Sequence, residues 1–92
     1  TTNNSVYSGG ANTVAIQTNS TQRVLADALG SVVIGTAALL TTATDGFLYI
    51  PTCAGTPTGV PTAYAGRAPM IIDTTANKLW FYSSGAWRDA GP

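Results

Sequence analysis

An all-β fold of short antiparallel strands and hairpins is predicted by three features of this 92-residue chain. Apolar and polar positions alternate from Thr13 onward. Runs of β-branched and aromatic residues are cut at short intervals by Gly, Pro, Asn and Asp. Both tryptophans, both phenylalanines and three of the four tyrosines lie in the second half of the chain, mostly in such runs. Aromatic side chains bury the most area per residue, so the folding nucleus is expected after Asp45. The chain divides by composition into an N-terminal arm or linker over 1–12, a β-meander over 13–44 and a β-hairpin module over 45–92.

Residues 1–12 are polar around Val6-Tyr7 and lack a periodicity that would define an element, which predicts an arm. From Thr13, Val14, Ile16 and Thr18 fall on one face and Ala15, Gln17 and Asn19 on the other, the period of a half-buried strand. Asn19-Ser20 has turn chemistry. Arg23-Val24-Leu25-Ala26-Asp27 reads as a second strand, Ala28 to Ser31 as a corner, and Ser31 to Gly35 as a third strand rich in β-branched side chains. A helix over Thr21–Leu29 competes on propensity, because Gln22, Arg23, Leu25, Ala26 and Ala28 favour helices and Gly30 would terminate one.

Thr36–Thr44 is rich in Ala and Thr and cannot build a core. After the Asp45-Gly46 turn, Phe47-Leu48-Tyr49-Ile50 is predicted as a strand stopped by Pro51, which has no N–H to donate to a ladder. Thr52–Pro61, punctuated by Gly55, Pro57, Gly59 and Pro61, is predicted as an ordered loop. Pro69–Asp73 and Lys78–Tyr82, separated by Thr74-Thr75-Ala76-Asn77, form the clearest hairpin. Asp73 is placed to accept bonds from amides two residues on, and Asn77 tolerates the left-handed backbone that closes the loop. Ser83-Ser84-Gly85 then turns the chain into Ala86-Trp87-Arg88, the third of three antiparallel strands. Trp80 and Tyr82 share one face of the central strand, with Leu79 and Phe81 on the other. A strand bearing large rings on both sides must bury both faces or expose a sticky surface. In a chain this short the second cover is best supplied by another copy of itself.

Composition narrows the function. Arg23, Arg67, Lys78 and Arg88 balance Asp27, Asp45, Asp73 and Asp89, and charged residues make up only 9% of the chain, against about a quarter in ordinary domains. Four scattered cations form no phosphate-binding stripe, so no nucleic-acid partner is expected. A surface so poor in charge is weakly protected against self-association. The longest apolar stretch, Val32–Leu40, falls far short of the roughly 20 residues of a membrane span, and no membrane insertion is expected. The first residues lack the marks of a signal peptide.

Chemistry is equally constrained. Cys53 is the one cysteine and histidine is absent, so no disulfide within the chain, zinc site or histidine-based nucleophile is expected. Gly9-Gly10 lacks the following GK[ST] of a phosphate loop. Each Asp sits beside a turn, where capping accounts for it better than the paired carboxylates of a glycan hydrolase. No catalytic residue, cofactor or metal is assigned.

Two stretches resemble known proteins. Ile16–Asp27 followed by Gly30-Ser31-Val32-Val33-Ile34-Gly35-Thr36 is similar to the strand-turn-strand repeat of bacteriophage tail-fibre proteins: a polar turn, an Arg, a hydrophobic residue, an Asp, then Gly-X-Val-X-Ile-Gly-Thr. The match runs through Asn19, Arg23, Asp27, Gly30, Val32, Ile34, Gly35 and Thr36, and departs at Ala28-Leu29, where the repeat usually has polar residues. Thr44–Gly59, with Ala63-Tyr64, Gly66-Arg67 and the hairpin through Trp87, resembles a segment of phage fibre and virion-appendage proteins. Together the stretches cover about three quarters of the chain. The resemblance favours strands over the helix near Arg23 and implies an elongated homotrimer on the virion surface, with strands from three chains sharing one core.

The expected function is therefore that of a structural virion protein: a trimeric fibre, appendage or capsid-decoration module. Val14, Ile16, Val24, Val32, Ile34, Phe47, Tyr49, Ile71, Leu79, Phe81 and Trp87 are its expected core or interface positions. Residues 1–12 would dock onto neighbouring capsid, neck or fibre proteins. The alternative is a host-attachment adhesin binding host-surface glycan by stacking on Trp80, Tyr82 and Trp87, with Asp73, Asn77, Arg88 or Asp89 as polar anchors, although core or subunit interface is the plainer account of those rings.

Overall fold

The computed structural model describes residues 3–91, and over that range the protein is all-β, with eight strands and no helix. The chain divides into two compact units between Leu48 and Tyr49. Each unit contains one four-stranded sheet.

The first sheet is antiparallel throughout, in chain order: β1 (Ser5–Tyr7), β2 (Val14–Thr18), β3 (Thr21–Ala26) and β4 (Val32–Ile34). The helix that propensity allows over 21–29 is absent, because Thr21–Ala26 pairs on both sides, with β2 and with β4. Asn19 and Ser20 both have positive φ, 49° and 60°, as a two-residue hairpin turn of the twist-compatible kind requires. At the next corner Asp27 accepts the amides of Leu29 and Ser31, each at 2.9 Å, while Gly30 takes a φ of 93°. The apolar pair Ala28-Leu29 is thereby tolerated, since backbone and Asp27 close the corner without it.

The expectation of an arm over 1–12 needs correction. Ser5–Tyr7 is a paired edge strand, held in place where the Asn3 carbonyl accepts from Ser20 N–H at 2.7 Å and Asn4 Oδ1 accepts from Asn19 N–H at 2.8 Å. Three residues are too short to display a period, so only the tertiary pairing reveals the strand. Thr1 and Thr2 lie outside the described residues.

In the second unit β5 (Thr52–Cys53) pairs parallel to β6 (Met70–Asp73), which pairs antiparallel to β7 (Lys78–Ser83), which pairs antiparallel to β8 (Ala86–Asp89). The predicted hairpin and third strand are present. Ser84 and Gly85 turn β7 into β8 with φ of 53° and 79°, and Asn77 closes the β6–β7 loop at 57°.

The strand predicted at 47–50 does not form. Phe47–Ile50 has β propensity but pairs with no strand, and propensity without a ladder does not make a strand. The chain joins the sheet slightly later, within the predicted loop 52–61. Pro51 contributes only its carbonyl, accepting from Ile72 N–H, and Cys53 C=O accepts from Thr74 N–H. The missing N–H of Pro51 therefore costs the ladder nothing.

Candidate functional site

Side chains opposite one another in adjacent strands share a face, and in the first sheet the register places Val6, Ile16, Val24 and Ile34 in one row and Val14, Ala26 and Val32 in the next. These seven apolar residues occupy the same face, since 14 and 16 alternate around Ala15. Five sequence-selected positions, Val14, Ile16, Val24, Val32 and Ile34, thus lie together. None is buried: Val24 is half-buried and the others are exposed, Val32 by 66%. The residue that is buried, Ala15 at 1%, lies on the opposite face. The single chain does not bury the five, and this apolar face of the sheet stays largely open.

The second sheet shows the same division. Register puts Ile71, Trp80, Tyr82 and Trp87 on one face and Met70, Ile72, Leu79 and Phe81 on the other. The first face is partly covered by the chain itself. Trp87 Nε1–H donates to the Gly59 carbonyl at 2.7 Å, and the Trp87 ring meets Tyr82 edge-on at a centroid distance of 5.4 Å. Cys53 is half-buried, its thiol donating to Gly55 C=O. Trp87→Phe keeps a ring but loses the indole bond, and is expected to destabilise the protein by about 1 kcal/mol. Chemical denaturation checks this. On the opposite face Met70, Leu79 and Phe81 are exposed and Ile72 is half-buried.

Of the remaining selected residues, Phe47 and Tyr49 are exposed, Tyr49 by 84%, while Ile71, Trp80, Tyr82 and Trp87 are half-buried. No selected position is fully buried within the single chain, which has too little cover to enclose them.

The largest fully buried side chain among the described residues is polar. Asp73, 1% exposed, accepts at a single oxygen, Oδ1, the amides of Thr75 at 2.8 Å, Gly55 at 3.0 Å and Ala76 at 3.2 Å. Burial is the largest influence on its carboxyl and opposes ionisation. The amides of Ala76, Thr75 and Gly55 together outweigh it and hold the group below its ordinary value. The Trp80 indole N–H contributes in the same direction, although it is buried and its geometry falls short of a hydrogen bond. Lys78, opposite Asp73 in the ladder, turns instead to Asp89 at 3.0 Å, and that bond first of all lowers the Asp89 carboxyl. Asp27 and Asp73 both cap turns, as their positions beside Gly- and Thr-rich corners suggest. Among the described residues no cluster of three potential metal ligands occurs.

An open groove of about 840 Å³ lies in the second unit, lined among others by Pro61, Tyr64, Arg67, Pro69, Tyr82 and Ser83. The Arg67 guanidinium stands over the Tyr64 ring, 5.8 Å from its centroid. Of the two residues selected for glycan contact, Tyr82 lines this groove and Trp80 does not. Tyr64 and Arg67 escape sequence reasoning because they sit in a loop without periodicity. The Tyr-Gly-Arg neighbourhood, a ring two residues from a turn glycine and three from a cation, is the available signal.

No protein-family model, curated protein or solved structure matches the chain.

Proposed function

We propose that this chain is a structural module of a bacteriophage virion, acting as a homotrimeric fibre, appendage or capsid-decoration element on the particle surface. The observation that carries the self-association is the pair of uncovered apolar sheet faces. A compact 9.4 kDa chain presents about 5,000 Å², and two separate compact bodies of half that mass about 6,000 Å². This chain presents 7021 Å². The excess over either figure is at least about the 800 Å² that one partner contributes to a standard interface. Stability of the single chain would rest on little more than backbone ladders and turn caps. Copies that cover the Val6–Ile34 row and the Leu79–Phe81 face would supply the missing core. The task is mechanical, and no catalytic group is part of it.

Assignment to the virion is supported by the resemblance of 16–36 and 44–87 to fibre and appendage segments. Residues 1–12 remain the segment for meeting neighbouring capsid, neck or fibre proteins, with 5–7 now a strand edge. Sedimentation equilibrium is expected to return about three times the chain mass of 9.4 kDa at micromolar concentration. A folded monomer there would overturn the proposal. Labelling of intact particles with an antibody to the chain tests the location.

A second reading, a glycan-binding adhesin, is supported by the groove, where Tyr64 and Tyr82 offer rings and Arg67 a cation for an acidic sugar. Tyr64→Ala is expected to abolish binding to host polysaccharide on this reading. Unchanged retention on a polysaccharide column excludes it.

A further inference from the structure

The first sheet has two open edges, and the hydrogen-bond alternation tells which groups face outward. Asp27 N–H donates to Ser31 C=O and Gly35 N–H to Arg23 C=O. Positions 31, 33 and 35 therefore bond inward to β3, and the backbone groups of Val32 and Ile34 point away from the sheet. The same alternation carried across β3 and β2 directs Ser5 and Tyr7 inward and Val6 outward. Neither edge carries the usual protection: Ser5-Val6-Tyr7 and Val32-Val33-Ile34 contain no charge, no proline and no bulge. The register irregularity of the sheet lies further in, between Ile16 and Gln17.

We infer that β4 of one copy pairs antiparallel with β1 of the next, with Val6 exchanging backbone bonds with Val32 or Ile34. The inference rests on the self-association proposed above and specifies its geometry. Two observations select this partner. The strands run alternately in the order β1-β2-β3-β4, so β4 is antiparallel to a β1 placed beside it when copies follow one another in the same sense. The outward-facing residues on both edges, Val6, Val32 and Ile34, also belong to the apolar face. Opposed residues share a face, so the junction continues the apolar surface from one copy into the next. A register that set Val6 against Val33 would oppose an outward group to an inward one. The contact joins two different edges and is heterologous, which closes into a ring when the rotation permits. Three copies of the sheet would surround one apolar interior. Head-to-head pairing of β4 with β4 would instead give a two-fold dimer.

The test uses the whole chain in a Cys53→Ser background, with V6C/V32C and V6C/I34C and the three single variants, under mild oxidation. One double variant is expected to give covalent species up to three times the chain mass, and the single variants none. In parallel, Val32→Pro removes only an outward N–H, sparing the ladder to β3, and is expected to abolish the assembled form. Covalent dimers from I34C or V32C alone would replace the inference with two-fold pairing. A native trimer in which neither double variant links, or which survives Val32→Pro, would overturn the edge pairing and leave the trimeric reading standing. A native monomer would overturn both.

Discussion

Ile16→Asp is expected to abolish self-association and with it most of the thermal stability. Ile16 sits near the middle of the apolar face, in the row that joins Val6, Val24 and Ile34 across four strands. In a single chain an Asp there would be harmless, because the position is open to water; Ile16 is 41% exposed. In the proposed assembly copies cover the face and enclose the carboxylate, while the Arg23 guanidinium is already bonded to Thr18. An uncompensated buried charge costs about 3–5 kcal/mol, roughly two to four decades in an association constant. Sedimentation at a fixed concentration reads the loss directly. Thr58→Asp, a charge added to an exposed loop, is the matched control and should leave assembly intact. Phe81→Asp makes the same test on the second sheet, where the exposed partners are Met70 and Leu79. Dissociation by Phe81→Asp with an undisturbed Ile16→Asp protein would move the interface to the second unit. Assembly that resists both substitutions would remove the uncovered faces as its cause.

The second large effect concerns Asp73. One carboxylate oxygen at the end of β6 ties together two further segments: the chain after β5 through Gly55 and the β6–β7 loop through Thr75 and Ala76. Asp73→Ala leaves three part-buried amides without their acceptor, and a donor shielded from water with no partner retains its desolvation cost. The melting midpoint is expected to fall by on the order of 10 °C or more. Asp73→Asn keeps an oxygen at the same position and should lose less. Equal losses for the two variants would mean that charge, not acceptor geometry, is what matters.

The pH dependence follows from the same contacts. The folded carboxyl is held below its ordinary value, so the folded state binds fewer protons than the unfolded chain in the window between the two pKa values. Its contribution is fully present above the unfolded value of about 3.9. The contribution is lost as pH falls through the lower, folded value. Asp89, lowered by Lys78, adds a term of the same sign. Stability should therefore be level from pH 7 to about 5 and decline below about 4. Asp73→Asn should flatten that decline. A wild-type melting midpoint unchanged between pH 5 and 3 would contradict the assigned role.

Legibility differed between the two halves in a physically consistent way. The hairpin at 69–82 and the turns at Asn19-Ser20 and Ser84-Gly85 were readable because local chemistry decides them: Asx side chains and positive-φ residues act over two to four positions. The apolar face was half readable. The alternation of Val14 and Ile16 is local, whereas its junction with Val6, Val24 and Ile34 depends on pairings between residues distant in sequence. Strand β1 and the parallel strand β5 carry no signal of their own, being three and two residues long, and exist because a neighbouring edge was available. Phe47–Ile50 shows the converse, a strand-like sequence that joins no ladder. The groove of Tyr64 and Arg67 is likewise a product of chain folding, since a loop announces neither its curvature nor which rings line it.

By itself the amino-acid order determined the all-β class, the places where the chain turns, and the shortage of charge that leaves apolar surface unprotected. Those properties reside in single side chains and their immediate neighbours. Tertiary structure alone decided that Asp73, and none of the rings, would be the largest fully buried side chain among the described residues. It also decided that the valines and isoleucines of four strands would line up on one uncovered face. Burial and register are relations between distant residues, and they take a value only when the ladders bring those residues side by side.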